Sequence, residues 1–520
     1  MSQEELWQRY CGFLDLSTDG FLEVQNELLM DQIERVADSA LGKKIMGDTR
    51  PTSVDQFRQT VPLTTYDDYE PFLSEQQENA LAAVPRLWGH SAGRGGRFKW
   101  MPYTQEYLER AAKVTISSII LATCRDKGRV VIMPGIRVLF VLPPAPYASS
   151  CLVKSLSEQL SFVQLPPHEL AEKLEIQDRI RKGFQMALKD GVDIIAAIAS
   201  VLVRMGEEIS GEARGMKLSL SMLHPKVLSR LLMAWVRSKR GRRALLPRDL
   251  WPTKAVMTSG MDTAIYRQDV MRYWGSEPYE FYASTESLFI AIQGLSGKGM
   301  VFPPDLVFLE FIPYDSQSED PQPPTVLLNE LEVGRSYEVV LTHFYGMPLL
   351  RYRMRDIITV IAAGDEANGI HLPHIEFRHR VGETINLAGL TDLDEKTIWQ
   401  AIANLGIRYA DWSACKEYGD GETFLRIYLE LKEQRPAEDI EKSIDEQLKA
   451  VDTDYKDVDA YLGLQPVRVT LLSPGTFDRY TEEKRKEGAD LAHLKPTHMN
   501  PPESVIQRLL QLSESGRAAQ

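Results

Sequence analysis

Cysteine is scarce in this sequence. Cys11, Cys124, Cys151 and Cys415 lie far apart, with no CxxC pair and no His-rich zinc spacing, which argues against both a disulfide framework and a structural zinc site. A reduced cytoplasm is the economical compartment. Long apolar runs are missing as well: the longest, VDIIAAIASVLVRM at 192–205, is too short to span a bilayer and reads as a buried helix. MSQEELWQRY lacks the basic-then-apolar pattern of a signal peptide, so no membrane association is expected. Positive charge is in deficit, with 60 Lys and Arg against 73 Asp and Glu, a net charge of −13. General nucleic-acid binders gain affinity by neutralising phosphates, so that class is disfavoured. The one dense basic run, RSKRGRRALLPR at 237–248, reads as a solvated helix end and loop.

What is present is an ordinary globular composition, 43% hydrophobic and 26% charged over 520 residues, enough for two or three domains with real cores. Helical periodicity dominates 1–47, 104–124, 150–240 and 262–275. Between these lie β-branched or aromatic runs at 129–144, 254–260, 278–284, 306–313, 336–344 and 356–363, bounded by Gly, Pro or Asp. Strands separated by long helices imply α/β layers. Beyond residue 388 a shorter pattern of helix, two strands, helix and strand (394–405, 411–418, 423–431, 437–450, 467–475) predicts a small α+β domain. The expected division is a large α/β domain at 1–388 and a small domain at 389–520.

Four stretches carry candidate chemistry. HSAGRGGRFKW, 90–100, packs small residues among cations; it fits neither a P-loop nor a dinucleotide fingerprint, and stands evenly between an anion cradle and a basic surface loop. EFYASTES, 280–287, ends an apolar strand in hydroxyls and a carboxylate, where α/β sheets put their ligands. Its Glu286 suits Mg²⁺, which favours one or two carboxylates plus substrate phosphate oxygens, while the same letters also suit a helix cap. LLRYRMRDIITV, 349–360, sets Asp356 after three alternate arginines; a carboxylate there reads as a ribose-diol acceptor, or the segment as an edge strand with a charged outer face. In HLKPTHMN, 493–500, Lys495 stands before a proline, either as a fixed ammonium that stabilises developing negative charge or as a surface lysine.

Their order along the chain resembles the adenylate-forming superfamily, and within it the Gretchen Hagen family of acyl acid amido synthetases. That family shows a Tyr-x-Ser-Ser/Thr-Glu strand end, a Tyr-Arg-x-x-Asp strand, a following Phe-x-x-Arg and a Gly-Thr-Phe-Asp run leading to a lysine; here these are YASTE, YRMRD, FRHR and GTFD followed by Lys495. The resemblance covers most of the chain. It implies that Ser91, Gly93, Arg94, Gly95, Gly96 and Lys99 lie over the ATP phosphates. Tyr282 would face the adenine, with Ala283, Ser284 and Thr285 beside the nucleotide or acyl carboxylate, and Glu286 would reach Mg²⁺. Tyr352 and Asp356 would hold the nucleoside, Arg380 would match the arginine after that strand, and Glu395 would lie where the chain turns into a mobile C-terminal domain. Lys495 would contact the acyl carboxylate and α-phosphate during adenylation.

Three departures from the family pattern stand out. Arg94 and Arg97 replace neutral residues in a loop one position short, Arg355 stands where a glycine usually precedes the aspartate, and His493 replaces a glutamine before the lysine. The activity implied is ATP- and Mg²⁺-dependent formation of an acyl adenylate from a carboxylic acid, then transfer to an amine or amino acid. Two alternatives stay open: a ligase to coenzyme A, whose phosphates would suit the 237–248 run, and a non-catalytic relative that binds a nucleotide or acyl ligand.

Overall fold

The computed structural model describes residues 2–518 apart from 92–98, 125, 132–134, 142–145, 175, 211–223, 260–262, 315–319, 381–383, 388–390, 420–421, 453–454, 457–465 and 487–495. The chain divides into two compact units, one made of Met1–Ser91 with Lys99–Val381, the other beginning at Gly382.

In the large unit, β1 (Leu87–Ser91) and β2 (Lys99–Tyr103) form an antiparallel hairpin in which Ser91 faces Lys99 and Leu87 faces Tyr103. The main sheet begins with five parallel strands: β3 (Ile136–Val141), β4 (Phe162–Leu165), β5 (Ile194–Ala197), β6 (Ala255–Ser259) and β7 (Pro278–Tyr282). Helices such as Ala148–Gln159, Ile176–Asp190, Ala199–Ser210 and Thr263–Trp274 make the returns, because parallel neighbours need a crossover of a dozen residues or more. The run at 192–205 is therefore not one buried helix: β5 comes first and helix Ala199–Ser210 follows. All four β5 residues are buried, and a parallel strand covered on both faces loses the alternation that marks a strand in sequence. The short edge strand β4 also interrupts the helical reading of 150–240, while residues 129–131 carry no strand and β3 starts only at Ile136.

The sheet continues through β8 (Ala291–Gln293), β9 (Met300–Val301), β10 (Val307–Pro313), β11 (Ser336–His343), β12 (Tyr352–Ala362) and β13 (His374–Arg380), in the order β10-β11-β12-β13-β9-β8-β7-β6-β5-β3-β4. The 349–360 segment is thus not an edge strand, since β12 lies between β11 and β13. Two of its arginines meet buried carboxylates. Arg351 pairs with Glu310 of β10 and Arg353 with Glu338 of β11, at 2.9 and 2.7 Å.

Helix Gln105–Thr123 starts at Thr104, whose hydroxyl accepts from the Tyr107 amide, as an N-cap does. Thr115 and Ser118 are buried on it and donate to the Ala111 and Val114 carbonyls at 2.9 and 3.0 Å. These hydroxyls are satisfied within their own helix, so this buried helix face is core.

In the small unit, β14 (Thr384–Leu387) and β15 (Thr391–Asp394) pair antiparallel ahead of helix Glu395–Asn404. A three-stranded sheet follows: β16 (Tyr409–Gly419) runs antiparallel to β17 (Glu422–Leu431), and β18 (Val467–Leu472) runs parallel to β17. The crossover contains helix Ala437–Val451, which buries Ile440, Ile444 and Leu448, the one-face spacing of an amphipathic helix.

Candidate functional site

The strand end predicted at YASTE is present. β7 stops at Tyr282, and Ala283–Ser287 turn before β8. No helix starts here: Ser284 Oγ accepts from the Ser287 amide at 3.2 Å and caps a turn, so the helix-cap reading is corrected. The Ile290 amide bonds the Tyr282 carbonyl at 2.8 Å and closes the loop. Two tyrosines grip it from the next layer, Tyr103 donating to the Thr285 carbonyl and Tyr107 to the Ser287 carbonyl. The turn therefore presents Glu286 from a fixed backbone.

His343, at the end of β11, adds a second hold. Its Nδ1 accepts from the Leu349 amide at 3.1 Å, which assigns the proton to Nε2, and Nε2 donates to the Glu286 carbonyl at 2.6 Å. Burial pushes its pKa down to about 4, so the ring stays neutral near pH 7 and acts as a dipolar strut. The sequence offered one signal for it, a histidine closing a strand.

Two side-chain contacts then join the β7 turn to β12. Tyr282 Oη donates to Asp356 Oδ2 at 2.5 Å, and Tyr352 Oη donates to Glu286 Oε1 at 3.4 Å. Each segment contributes two groups four residues apart, and both carboxylates are buried at 5–6% exposure. Lys99 Nζ, from β2, stands 4.0 Å from Glu286 Oε1 and 5.6 Å from the centre of the Tyr66 ring. A cation, a buried carboxylate and phenols thus meet at the carboxyl end of a parallel strand, the usual ligand position in open α/β sheets. Among the described residues no group of three or more His, Cys, Asp or Glu is placed to hold a metal. The single Glu286 carboxylate instead fits Mg²⁺ shared with substrate phosphate oxygens.

Asp356 reaches this position through a β-bulge. Glu338 faces Ile357 while Val340 faces Arg353, so Met354, Arg355 and Asp356 stand against Val339 alone. Bulges next to sites re-aim side chains. Arg355 takes φ +59° inside the bulge, the left-handed region that favours glycine, which is a backbone reason for a glycine in the family pattern at this place. Leu288, Tyr345 and Arg351 share this conformation, so left-handed backbone gathers on the segments that carry Glu286, His343 and Asp356, as stored strain often does. We expect Arg355→Gly to keep the urea midpoint of the wild type, whereas Arg355→Val, β-branched at a positive φ, should cost roughly 1–2 kcal/mol.

A second polar cluster lies within the small unit. His498 meets Glu395 through Nδ1 at 2.5 Å and Asp411 through Nε2 at 2.8 Å, and its ring stacks on Trp412 with centroids 4.5 Å apart. Hydrogen bonding to Asp411, ahead of that to Glu395, raises its pKa above the ordinary value. The strand-like residues around it bond to β16 through Ala414 N to His498 O at 2.6 Å and Asn500 N to Ala414 O at 2.8 Å. A raised histidine pKa gives stability that is full below about pH 6.5, the ordinary value, and is lost as pH climbs through the higher folded value. His498→Gln should therefore lose up to about 1 kcal/mol relative to wild type at pH 5.5, and the gap should close toward pH 9 when urea midpoints are compared.

The remaining predicted residues fall as follows. Arg380 faces Asp356 across the β13–β12 pairing, and Ser91 faces Lys99 in the hairpin. Gly93, Arg94, Gly95, Gly96 and Lys495 lie outside the described residues. No cysteine suits a nucleophile's role: burial pushes the thiols up, to about 11 for Cys124 and Cys151 and about 12 for Cys415. Among the described residues no helix is long and apolar enough to cross a membrane.

Comparison with known proteins follows the same path. Residues 11–279 match the GH3 family N-terminal domain, 300–380 the GH3 family central domain and 400–503 the GH3 family C-terminal domain. The chain is 23% identical to a probable indole-3-acetic acid-amido synthetase GH3.2 of Oryza sativa subsp. japonica, over 93% of this chain and 89% of that protein. It is also 23% identical to a GH3 domain-containing protein of Mus musculus, over 70% of this chain and 67% of that one. Its fold resembles the GH3.15 acyl acid amido synthetase in complex with 2,4-DB, with TM-score 0.53, 17% identity and coverage of 98% and 96%. It also resembles 2-hydroxyisobutyryl-CoA ligase in complex with 2-HIB-AMP and CoA, with TM-score 0.58, 13% identity and coverage of 95% and 92%.

Proposed function

The chain belongs to the GH3 family, and from that premise we propose that it activates a carboxylic acid with ATP as an acyl adenylate and passes the acyl group to an amine or amino acid. The paired contacts Tyr282–Asp356 and Tyr352–Glu286, with Lys99 beside them, are the observation that carries this reading. They bring two buried carboxylates onto two segments in contact, which supports assigning one to a ribose diol and the other to a metal–phosphate group.

In the first step a carboxylate oxygen attacks the α-phosphorus of ATP; the new P–O bond replaces the bond to pyrophosphate, which leaves. Mg²⁺, when bound, neutralises phosphate charge. Asp356 accepts from the ribose hydroxyls, exchanging its bond from Tyr282, whose ring is then placed for the adenine. Ala283, Ser284 and Thr285 line the nucleotide or acyl carboxylate, with Tyr352 behind Glu286. Ser91, Gly93, Arg94, Gly95, Gly96 and Lys99 are assigned to the phosphates, Arg380 to the nucleotide, and Lys495 to the acyl carboxylate and α-phosphate. Such a step is mostly positioning and electrostatic stabilisation. In the second step the amine nitrogen attacks the activated carbonyl, sheds a proton and expels AMP. The domain at 1–388 would bind ATP and acid, and the one at 389–520 would bring the lysine.

Pyrophosphate exchange into ATP with a panel of carboxylates tests the first step. Product identification by mass spectrometry, with amino acids or coenzyme A as acceptor, tests the second. An amide supports the proposal and a thioester replaces it with a coenzyme A ligase. ATP binding without exchange for any acid would leave a nucleotide-binding relative.

A further inference from the structure

The amino ends of the same parallel strands hold a feature that the adenylation chemistry does not use. A hollow of about 560 Å³ is lined by Arg137, Lys189, Asp190, Lys226, Arg230 and Arg237, among others. Arg137 lies at the start of β3, Asp190 on the approach to β5, and the lining Leu250 and Pro252 on the approach to β6. Glu286 follows the carboxyl end of β7, which runs parallel to them, so the two places are separated by the length of the strands, on the order of 15 Å. The volume is in the range of small-ligand sites.

Five cations surround this hollow in a chain of net charge −13. Arg137 pairs with Asp193 at 3.2 Å. Among the described residues, no carboxylate lies within ion-pair distance of Lys189, Lys226, Arg230 or Arg237. The guanidiniums are fixed by carbonyls: Arg230 donates through Nε to Leu188 at 2.9 Å and through Nη1 to Leu250 at 3.2 Å, and Arg237 through Nη1 to Asp249 at 2.8 Å. Arg137 donates to the Asp190 carbonyl. Among the described residues these contacts leave Nη2 of Arg137 and Arg230, Nε and Nη2 of Arg237, and the two lysines for a further acceptor. Arg137 and Arg230 also converge on one point, for a Cβ on Gly191 would meet their Nη1 and Nη2 atoms at 2.9 and 3.1 Å. Burial first, and then the charges of Arg137 and Arg237, hold Arg230 below its ordinary pKa, with the charge of Asp190 only partly opposing them. Like charges brought together this way repel until an anion joins them, and planar guanidiniums match phosphate oxygens in pairs.

We propose that this hollow is a binding site for a phosphate-bearing anion, separate from the nucleotide site. Two sources share that chemistry. One is a free phosphate or diphosphate compound. The other is a phosphomonoester headgroup, since helix Pro225–Arg240 exposes Leu228, Leu232 and Trp235 at 48%, 62% and 54%.

The full chain, titrated with inorganic pyrophosphate by calorimetry in EDTA, which withdraws the metal the adenylation site needs, tests the first source. Co-sedimentation with phosphatidylcholine vesicles, with and without phosphatidic acid, tests the second. Each lost charge-assisted contact is worth roughly tenfold in affinity, so Arg230→Gln/Arg237→Gln should weaken binding by at least that factor. Arg230→Lys/Arg237→Lys, which keeps the charge but loses the paired geometry, should fall between wild type and the glutamine variant. Pyrophosphate binding with this ranking supports the site with a free ligand; sedimentation only with phosphatidic acid, in the same ranking, supports it with a headgroup. No binding in either arm, or equal binding by wild type and the glutamine variant, overturns it.

Discussion

Glu286→Gln should lower carboxylate-dependent pyrophosphate exchange by roughly 10²- to 10³-fold, the loss typical when one well-placed charged or donor group is removed from a transition state. Glutamine keeps the volume and can still accept from Tyr352, 3.4 Å away in the wild type. The turn is held through its backbone by Tyr103, Tyr107 and His343, so circular dichroism and the melting midpoint should stay close to wild type. The change therefore removes charge while leaving geometry. The variant also takes away the carboxylate assigned to the metal, so the concentration of MgATP needed for half-saturation should rise. Lys495→Ala is expected to give a rate loss of the same size with an unchanged fold. Exchange at near-normal rates in the Glu286 variant would remove that carboxylate from metal–phosphate chemistry, and near-normal exchange in the Lys495 variant would remove the lysine.

What the sequence displayed and what it hid divide along contact range. YASTE was legible because a strand ending in hydroxyls and a carboxylate is a local pattern, and β7 does end at Tyr282. Tyr352 and Asp356 were legible as letters, but their contacts to Glu286 and Tyr282 span 66 and 74 residues and arise only from the sheet order. His343 was passed over because nothing near it in sequence hints that the Glu286 carbonyl, 57 residues away, will meet its ring. The alternating arginines suggested a solvated face, whereas strands β10 and β11 bring buried glutamates to them. Strand β5 hid inside an apolar run because full burial erases the period that separates strand from helix.

Arg351 carries the second large effect, this time on stability. It is 6% exposed, and its guanidinium is satisfied on every side: Nε and Nη2 bond to Glu310 at 3.0 and 2.9 Å, Nη1 to the Arg58 and Val61 carbonyls at 2.6 Å each, and Nη2 to Thr325 Oγ1 at 3.3 Å. Arg351→Ala leaves the Glu310 charge buried, with Arg58 Nε at 3.4 Å as its remaining cation. Breaking a buried pair in this way costs about 3–5 kcal/mol, to be read as a fall in the urea midpoint of the large unit. Arg351→Met/Glu310→Leu, which removes both charges and keeps the volume, should recover much of that loss, since apolar replacements of buried pairs are often near neutral. A double variant as unstable as the single one would mean that the carbonyl bonds, not the ion pair, dominate. The consequence reaches the site, because Arg351 immediately precedes Tyr352 at the start of β12, and its φ of +45° sets the entry into that strand. Loosening it should shift Tyr352 and Asp356 together. Exchange activity in Arg351→Ala is accordingly expected to fall at temperatures well below its melting midpoint, while the charge-free double variant, with β12 packed again, should regain part of it.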